Sequence, residues 1–161
     1  MPTKIYWIHS FTNDAKIGIM PRPRGGDWLE DEIVFLKRQK VTLLVSLLEV
    51  NEIMELGLKD EEALCIKYGI KFIHFPIVDR STPVNANGFI QKLFDSINDG
   101  ANIVIHCRMG IGRSSIIAGA VLTIEGYNAD EILERIGKVR GLSVPDTEAQ
   151  VVWLRNRIHE K

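Results

Sequence analysis

The stretch His106-Cys107-Arg108-Met109-Gly110-Ile111-Gly112-Arg113-Ser114-Ser115 decides how this chain is read. Before it, Asn102 to His106 contains the β-branched run Ile103-Val104-Ile105, which predicts a buried strand. After it, the largely apolar residues 114–125 predict a buried helix. A strand that runs through a glycine-containing loop straight into a helix places the loop at the carboxyl end of a sheet strand. Ligands of open α/β sheets bind there, and a helix N-terminus offers free N–H groups and a partial positive charge. A phosphate or another oxyanion is the expected occupant.

The residue types inside the loop suit that occupant. Arg108, Met109, Gly110, Ile111 and Gly112 separate Cys107 from Arg113. Five residues suffice to curl a row of backbone amides around a phosphate, and the two glycines permit positive φ and close backbone approach. Arg113 can grip two phosphate oxygens at once, which a lysine cannot. The same amides and guanidinium favour a thiolate on Cys107. Ser114 is placed to hydrogen-bond the sulfur and help it leave a phosphoenzyme. Arg108 is expected to turn its charge outward near the mouth. With two Cys and ten Arg, a bare Cys-x5-Arg match arises by chance in about one such chain in eight, so the strand, the glycines and the helix around it carry the weight.

Working outward, strands are predicted at Lys4–His9, Ala15–Met20, Val41–Leu48 and Lys71–Val78, besides Asn102–His106. Between them, Pro21 to Gly26 is rich in turn residues. Asp27 is a candidate cap for a helix whose Leu29, Ile33 and Leu36 recur at helical spacing. Short helices are expected near 50–57 and 60–68, and a longer one whose face is Phe89, Ile90, Leu93, Phe94 and Ile97 ends at Asn98-Asp99-Gly100. Two more, at about 129–140 and 147–159, finish the chain. Strands alternating with helices give an α/β fold: a central, mostly parallel sheet of about five strands flanked by helices, residues 1–161 forming one domain.

Twenty basic against twenty-one acidic residues leave a net charge of −1, so no global field draws the chain to nucleic acid or to a membrane surface. The longest mostly apolar stretch, Ile116 to Ile124, is far below the roughly 18 residues needed to span a bilayer. Two cysteines in 161 residues make no disulfide scaffold, and the first ten residues lack the apolar core of a signal peptide, so a reducing cytoplasm is expected. His9, His74 and His159 stand apart, without Cys or carboxylate at ligand spacing, and no metal is expected. Cys65, among Ala63, Leu64 and Ile66, reads as a buried structural thiol.

The loop, and the chain from about Val41 to Ile124, resemble the protein tyrosine phosphatase superfamily, and the short length resembles its atypical dual-specificity members and their bacterial relatives. The superfamily signature, His-Cys-x5-Arg-Ser/Thr, is matched from His106 to Ser114. The resemblance implies a protein tyrosine or dual-specificity phosphatase, working through a cysteinyl-phosphate without cofactor, on a phosphorylated protein, as a monomer. It also implies that His106 orients the loop and that a general-acid Asp lies upstream. Asp79, 28 residues before Cys107, holds that position in Phe75-Pro76-Ile77-Val78-Asp79. Independently of resemblance, a carboxylic acid there can protonate the leaving oxygen and then deprotonate water, although Asp also commonly opens turns. Asp95 and Asp99 lie toward the other end of the sheet.

Gln150 has two readings. Some superfamily members position water with a glutamine from beyond the signature, yet Thr147-Glu148-Ala149-Gln150 is also a capping-box pattern, which is the favoured one. Arg22 and Arg24 either flank the substrate or are merely solvated. Rival functions are a phosphoinositide or RNA 5′-phosphatase of the same fold, a non-catalytic phosphoprotein-binding module, and a sulfur-transfer or arsenate-reducing enzyme. The apolar Met109 and Ile111 count against the first, the intact Cys, Arg, Ser and Asp set against the second, and the upstream acid loop and mid-chain Cys107 against the third.

Overall fold

A computed structural model describes residues 1–157, so His159 and the end of the helix expected to reach it lie outside the described residues. The strands are β1 (Tyr6–Ser10), β2 (Lys16–Met20), β3 (Leu43–Ser46), β4 (Lys71–His74) and β5 (Asn102–His106). The helices are α1 (Leu29–Arg38), α2 (Val50–Glu55), α3 (Glu61–Lys67), α4 (Asn87–Asn98), α5 (Arg113–Ile124), α6 (Ala129–Arg140) and α7 (Glu148–Arg157). One five-stranded sheet has the order β1-β2-β5-β3-β4, parallel except for β1 against β2. The expected α/β class and mostly parallel sheet are what forms.

The buried strands are apolar on both sides because both sides are covered. Along β5, Ile103 and Ile105 join a core with Ile17, Val45, Leu93 and Ile117, while Val104 points the other way, toward Ile33, Leu36, Leu44 and Leu58. α5 lies deepest, every residue from Arg113 to Thr123 being buried. Its uniform apolarity, which gives no amphipathic stripe, is that of a helix packed all round.

Several boundaries differ from expectation. The expected strand 71–78 ends at His74, where β3 also ends; Phe75 N and Ile77 N still donate to Ser46 O and Leu47 O, at 3.0 Å each, while Pro76 between them has no N–H to give. Asp27 does not cap α1. It lies within a 3-10 turn, Gly26–Trp28, and Trp28 at the helix boundary is already helical (φ −87°, ψ −13°); the extended conformation a capping residue needs falls earlier, at Gly25 (φ −95°, ψ −172°), which has no side chain to cap with. The capping box Thr147–Gln150 is present: Gln150 N donates to Thr147 Oγ1 at 3.2 Å, and Thr147 N to Gln150 Oε1 at 3.1 Å.

Candidate active site

The parallel strands end in register, Met20 beside His106 and His106 beside Ser46, so the segments that follow β2, β3, β4 and β5 converge at one edge of the sheet. At the centre of that edge, Cys107 leaves β5 and is 3% exposed. Its Sγ lies 3.3 Å from Ser114 Oγ, the thiol donating. The intervening loop turns at Gly110, whose φ is +69° and where a Cβ would stand 2.7 Å from both Met20 C and Pro21 N. Positive φ and close backbone approach coincide at this glycine. Gly112 departs from expectation in taking an ordinary φ of −91°; it is needed for closeness, since a Cβ would run into the Asp146 carboxylate.

Four successive carbonyls of the loop are bonded from outside. His106 Nδ1 faces Cys107 O at 3.2 Å, Arg22 N donates to Arg108 O at 3.1 Å, and Arg140 donates to Met109 O at 3.1 Å and Gly110 O at 2.9 Å. In a trans peptide the N–H points opposite its C=O. Pinning these oxygens outward therefore turns the N–H groups of Arg108, Met109, Gly110 and Ile111 toward the hollow of the loop, an anion cradle.

Arg113, the first residue of α5, is 2% exposed. Its Nη1 donates to Glu52 Oε1 at 2.7 Å and to Ile77 O at 2.9 Å, and its Nη2 to Glu52 Oε2 at 3.0 Å. The same Nη2 stands 3.2 Å from Asp79 Oδ1. Burial opposes the Arg113 charge, but the Glu52 hydrogen bonds and the charges of Cys107, Glu52 and Asp79 together raise its pKa above the ordinary value. Burial likewise pushes Glu52 up, and the Arg113 hydrogen bonds, with that from Glu49 N, outweigh it and hold the carboxyl below the usual range. Asp79 is 53% exposed, so it sits at the mouth, one side toward solvent and the other toward Arg113. Its loop is fastened by Gln150, which is fully buried and whose Nε2 donates to Ser81 O at 3.0 Å. Asp95 and Asp99 belong to the end of α4, near the start of β5 and away from this edge.

A family model described as polymorphic toxin system, DSP-PTPase phosphatase, matches residues 18–127. The chain belongs to this family. Among proteins similar to this DSP-PTPase chain is "Putative tyrosine phosphatase 197R" of Invertebrate iridescent virus 6, 30% identical over 146 residues covering 83% of the chain. The chain spans about half, 53%, of that viral protein's length. Kinase associated phosphatase, solved with its catalytic site cysteine substituted by serine, superposes with a TM-score of 0.88 at 19% identity over 99% of this chain and 96% of its own. PTPMT1, solved in complex with PI(5)P, gives 0.74 at 18% identity over 96% of each chain. At such identities the likeness shows the fold: the DSP-PTPase chain has the architecture of a dual-specificity-like protein tyrosine phosphatase.

The remaining candidates divide. Arg108, expected to turn its charge outward near the mouth, is drawn to Glu55 at 3.1 Å and lies 3.9 Å from Glu52, so its charge is largely matched. Met109 is 61% exposed, and Ile111 is half-buried. The Arg24 side chain is engaged by Glu32 at 3.5 Å and by the Trp28 ring at 4.8 Å, whereas Arg22 touches the signature loop only through its backbone. Burial first, then Glu61 and Glu62, pushes the Cys65 thiol up to about 12, in keeping with a structural role. Among the described residues no group of three or more His, Cys, Asp or Glu could hold a metal, and no helix is long and apolar enough to cross a membrane.

Three residues of the DSP-PTPase site escaped the sequence reading: Glu52, Glu61 and Arg140. Glu52 had a signal, since Glu49-Val50-Asn51-Glu52 is an acidic capping box directly after a strand, and Glu49 N does donate to Glu52 Oε1 at 3.0 Å. Arg140 and Glu61 had none, because their partners lie 30 or more residues away.

Proposed function

We propose that the chain is a cysteine-dependent phosphomonoesterase acting on phosphorylated protein side chains through a cysteinyl-phosphate intermediate. One observation carries this: Arg113 is buried and oriented by Glu52 while the same guanidinium reaches Asp79, joining the base of the anion cradle to an acid at its mouth. The Cys107 thiolate attacks phosphorus, and the loop amides with Arg113 hold the three non-bridging oxygens and the charge that develops on them. Asp79 gives its proton to the leaving oxygen. It then takes one from water as the phosphocysteine is hydrolysed, so one carboxyl serves both steps. Ser114, 3.3 Å from the sulfur, stabilises it as it departs. No step calls for a metal or cofactor, and residues 1–161 would act as one domain and as a monomer in the cytoplasm.

Phosphotyrosine is the proposed substrate, with phosphoserine or phosphothreonine beside it. The pairing of Arg108 with Glu55 favours a single phosphate over a polyphosphorylated headgroup, because the positive charge at the mouth is already matched. The test is hydrolysis of para-nitrophenyl phosphate in chelator by the unmodified protein, Cys107→Ser and Asp79→Asn. Turnover is expected to vanish in the first variant and to fall at least about a hundredfold in the second, as for loss of a general acid. Absence of turnover in a folded, reduced, unmodified protein would favour the phosphoprotein-binding module.

A further inference from the structure

His106 ends β5 with no exposed surface, and each ring nitrogen faces an oxygen: Nε2 lies 2.6 Å from Glu61 Oε2, and Nδ1 lies 3.2 Å from Cys107 O. A carbonyl oxygen only accepts, so Nδ1 bonds to it only while protonated. A ring protonated at Nδ1 alone would turn a lone pair on an ionised Glu61 at 2.6 Å or leave the proton on that carboxyl, the weaker base of the two, and a ring protonated at Nε2 alone would turn a lone pair on the Cys107 carbonyl. Glu61 is itself 2% exposed, so water screens neither repulsion. An imidazolium donating to an ionised Glu61 and to the carbonyl satisfies all three groups, and the short contact suits a charge-assisted bond.

We infer that Glu61 is a positioning residue for the nucleophile. From α3, it keeps both nitrogens of His106 protonated. The Nδ1–H in turn holds the Cys107 carbonyl, setting the peptide plane that aims the Arg108 N–H into the cradle. The imidazolium also places a positive charge at the base of the loop, where it favours the Cys107 thiolate. The kinetic consequence rests on the phosphatase reading; the protonation of His106 and the reactivity of Cys107 do not.

The unmodified protein, Glu61→Gln and, as a control, Glu62→Gln at the exposed neighbouring position are compared near neutral pH. In nitrogen-15 histidine spectra, both His106 nitrogens of the unmodified protein and of the control carry protons, whereas Glu61→Gln shows one protonated and one bare nitrogen. Iodoacetamide alkylates Cys107 about tenfold more slowly in Glu61→Gln, and kcat on para-nitrophenyl phosphate falls about tenfold with KM within about twofold, the change expected from losing one charge-assisted hydrogen bond. A single protonated nitrogen on His106 in the unmodified protein overturns the inference, even if Glu61→Gln fails to fold. So does a folded Glu61→Gln that alkylates at the unmodified rate. Expected spectra and alkylation in a protein without turnover would sustain the role of Glu61 while removing the phosphatase reading.

Discussion

Arg113 is surrounded by acceptors: two oxygens of Glu52, the Ile77 carbonyl and, at the mouth, Asp79. A buried guanidinium stripped of its counter-charge is far costlier than one never buried, and breaking such a pair from one side costs about 3–5 kcal/mol. Glu52→Gln should therefore lower unfolding free energy by an amount near the bottom of that range, since the amide oxygen still accepts one bond. The amide nitrogen would be left facing a donor. The swinging guanidinium should also weaken the grip on phosphate, so KM for para-nitrophenyl phosphate rises along with a fall in kcat; urea unfolding and steady-state kinetics on the same preparation check both. Legibility at this scale followed chemistry. Cys107, Arg113 and Ser114 lie on one short segment, so spacing alone brings them together. Glu52 arrives from 61 positions upstream, and only the folding of α2 under the loop makes it a partner.

Elements were legible where their pattern is local and less so where a neighbour ends them. β5 matches its expected bounds because both of its neighbours, β2 and β3, run alongside it to His106. β4 is shorter because its hydrogen bonds with β3 stop being regular at Pro76, and the chain that leaves the sheet there becomes the loop carrying Asp79. The capping box of α7 was readable from four residues. Its second use, Gln150 Nε2 holding Ser81 O, was not, because a capping pattern says nothing about which distant carbonyl lies near. Gln150→Ala should remove the fastening and the half of the capping box in which Thr147 N donates to Gln150 Oε1, while the bond from the backbone N–H of residue 150 to Thr147 Oγ1 stays. Trypsin should cut faster after the exposed Arg80, seen by mass spectrometry of timed digests, and turnover should drop several-fold while Cys107 alkylation stays unchanged.

Across the whole molecule, the covering of the sheet on both faces was legible because strands buried on both sides are apolar throughout, and the site's place at the carboxyl edge followed from the same topology. Acid stability is also a property of the whole. Glu52, held down chiefly by Arg113, and Glu32, held down by Thr3 and Arg24, both win against a burial that would raise them. A carboxyl depressed in the folded state contributes stability that is present above its unfolded pKa, about 4.3, and disappears as pH falls through the folded value. The carboxylate part of the decline in melting temperature should set in below about pH 4.3, beneath a milder decline that starts near pH 6.5 because burial, with Arg135, holds His9 below its ordinary value. The decline should be shallower in Glu52→Gln, which has lost one of the two carboxyls; calorimetry across that range measures it.

α5 has no surface of its own from Arg113 to Thr123, yet its first turn is the wall of the phosphate cradle. Most binding loops open by fluctuations far cheaper than global unfolding. Here the cradle's arginine and the centre of the core are consecutive turns of one rod. Amide hydrogens from Ile116 onward, the first in α5 to bond back, to Gly112 O, should then exchange with solvent only as fast as those in the middle of β5, so that the base of the reactive loop is one of the last parts of the chain to breathe.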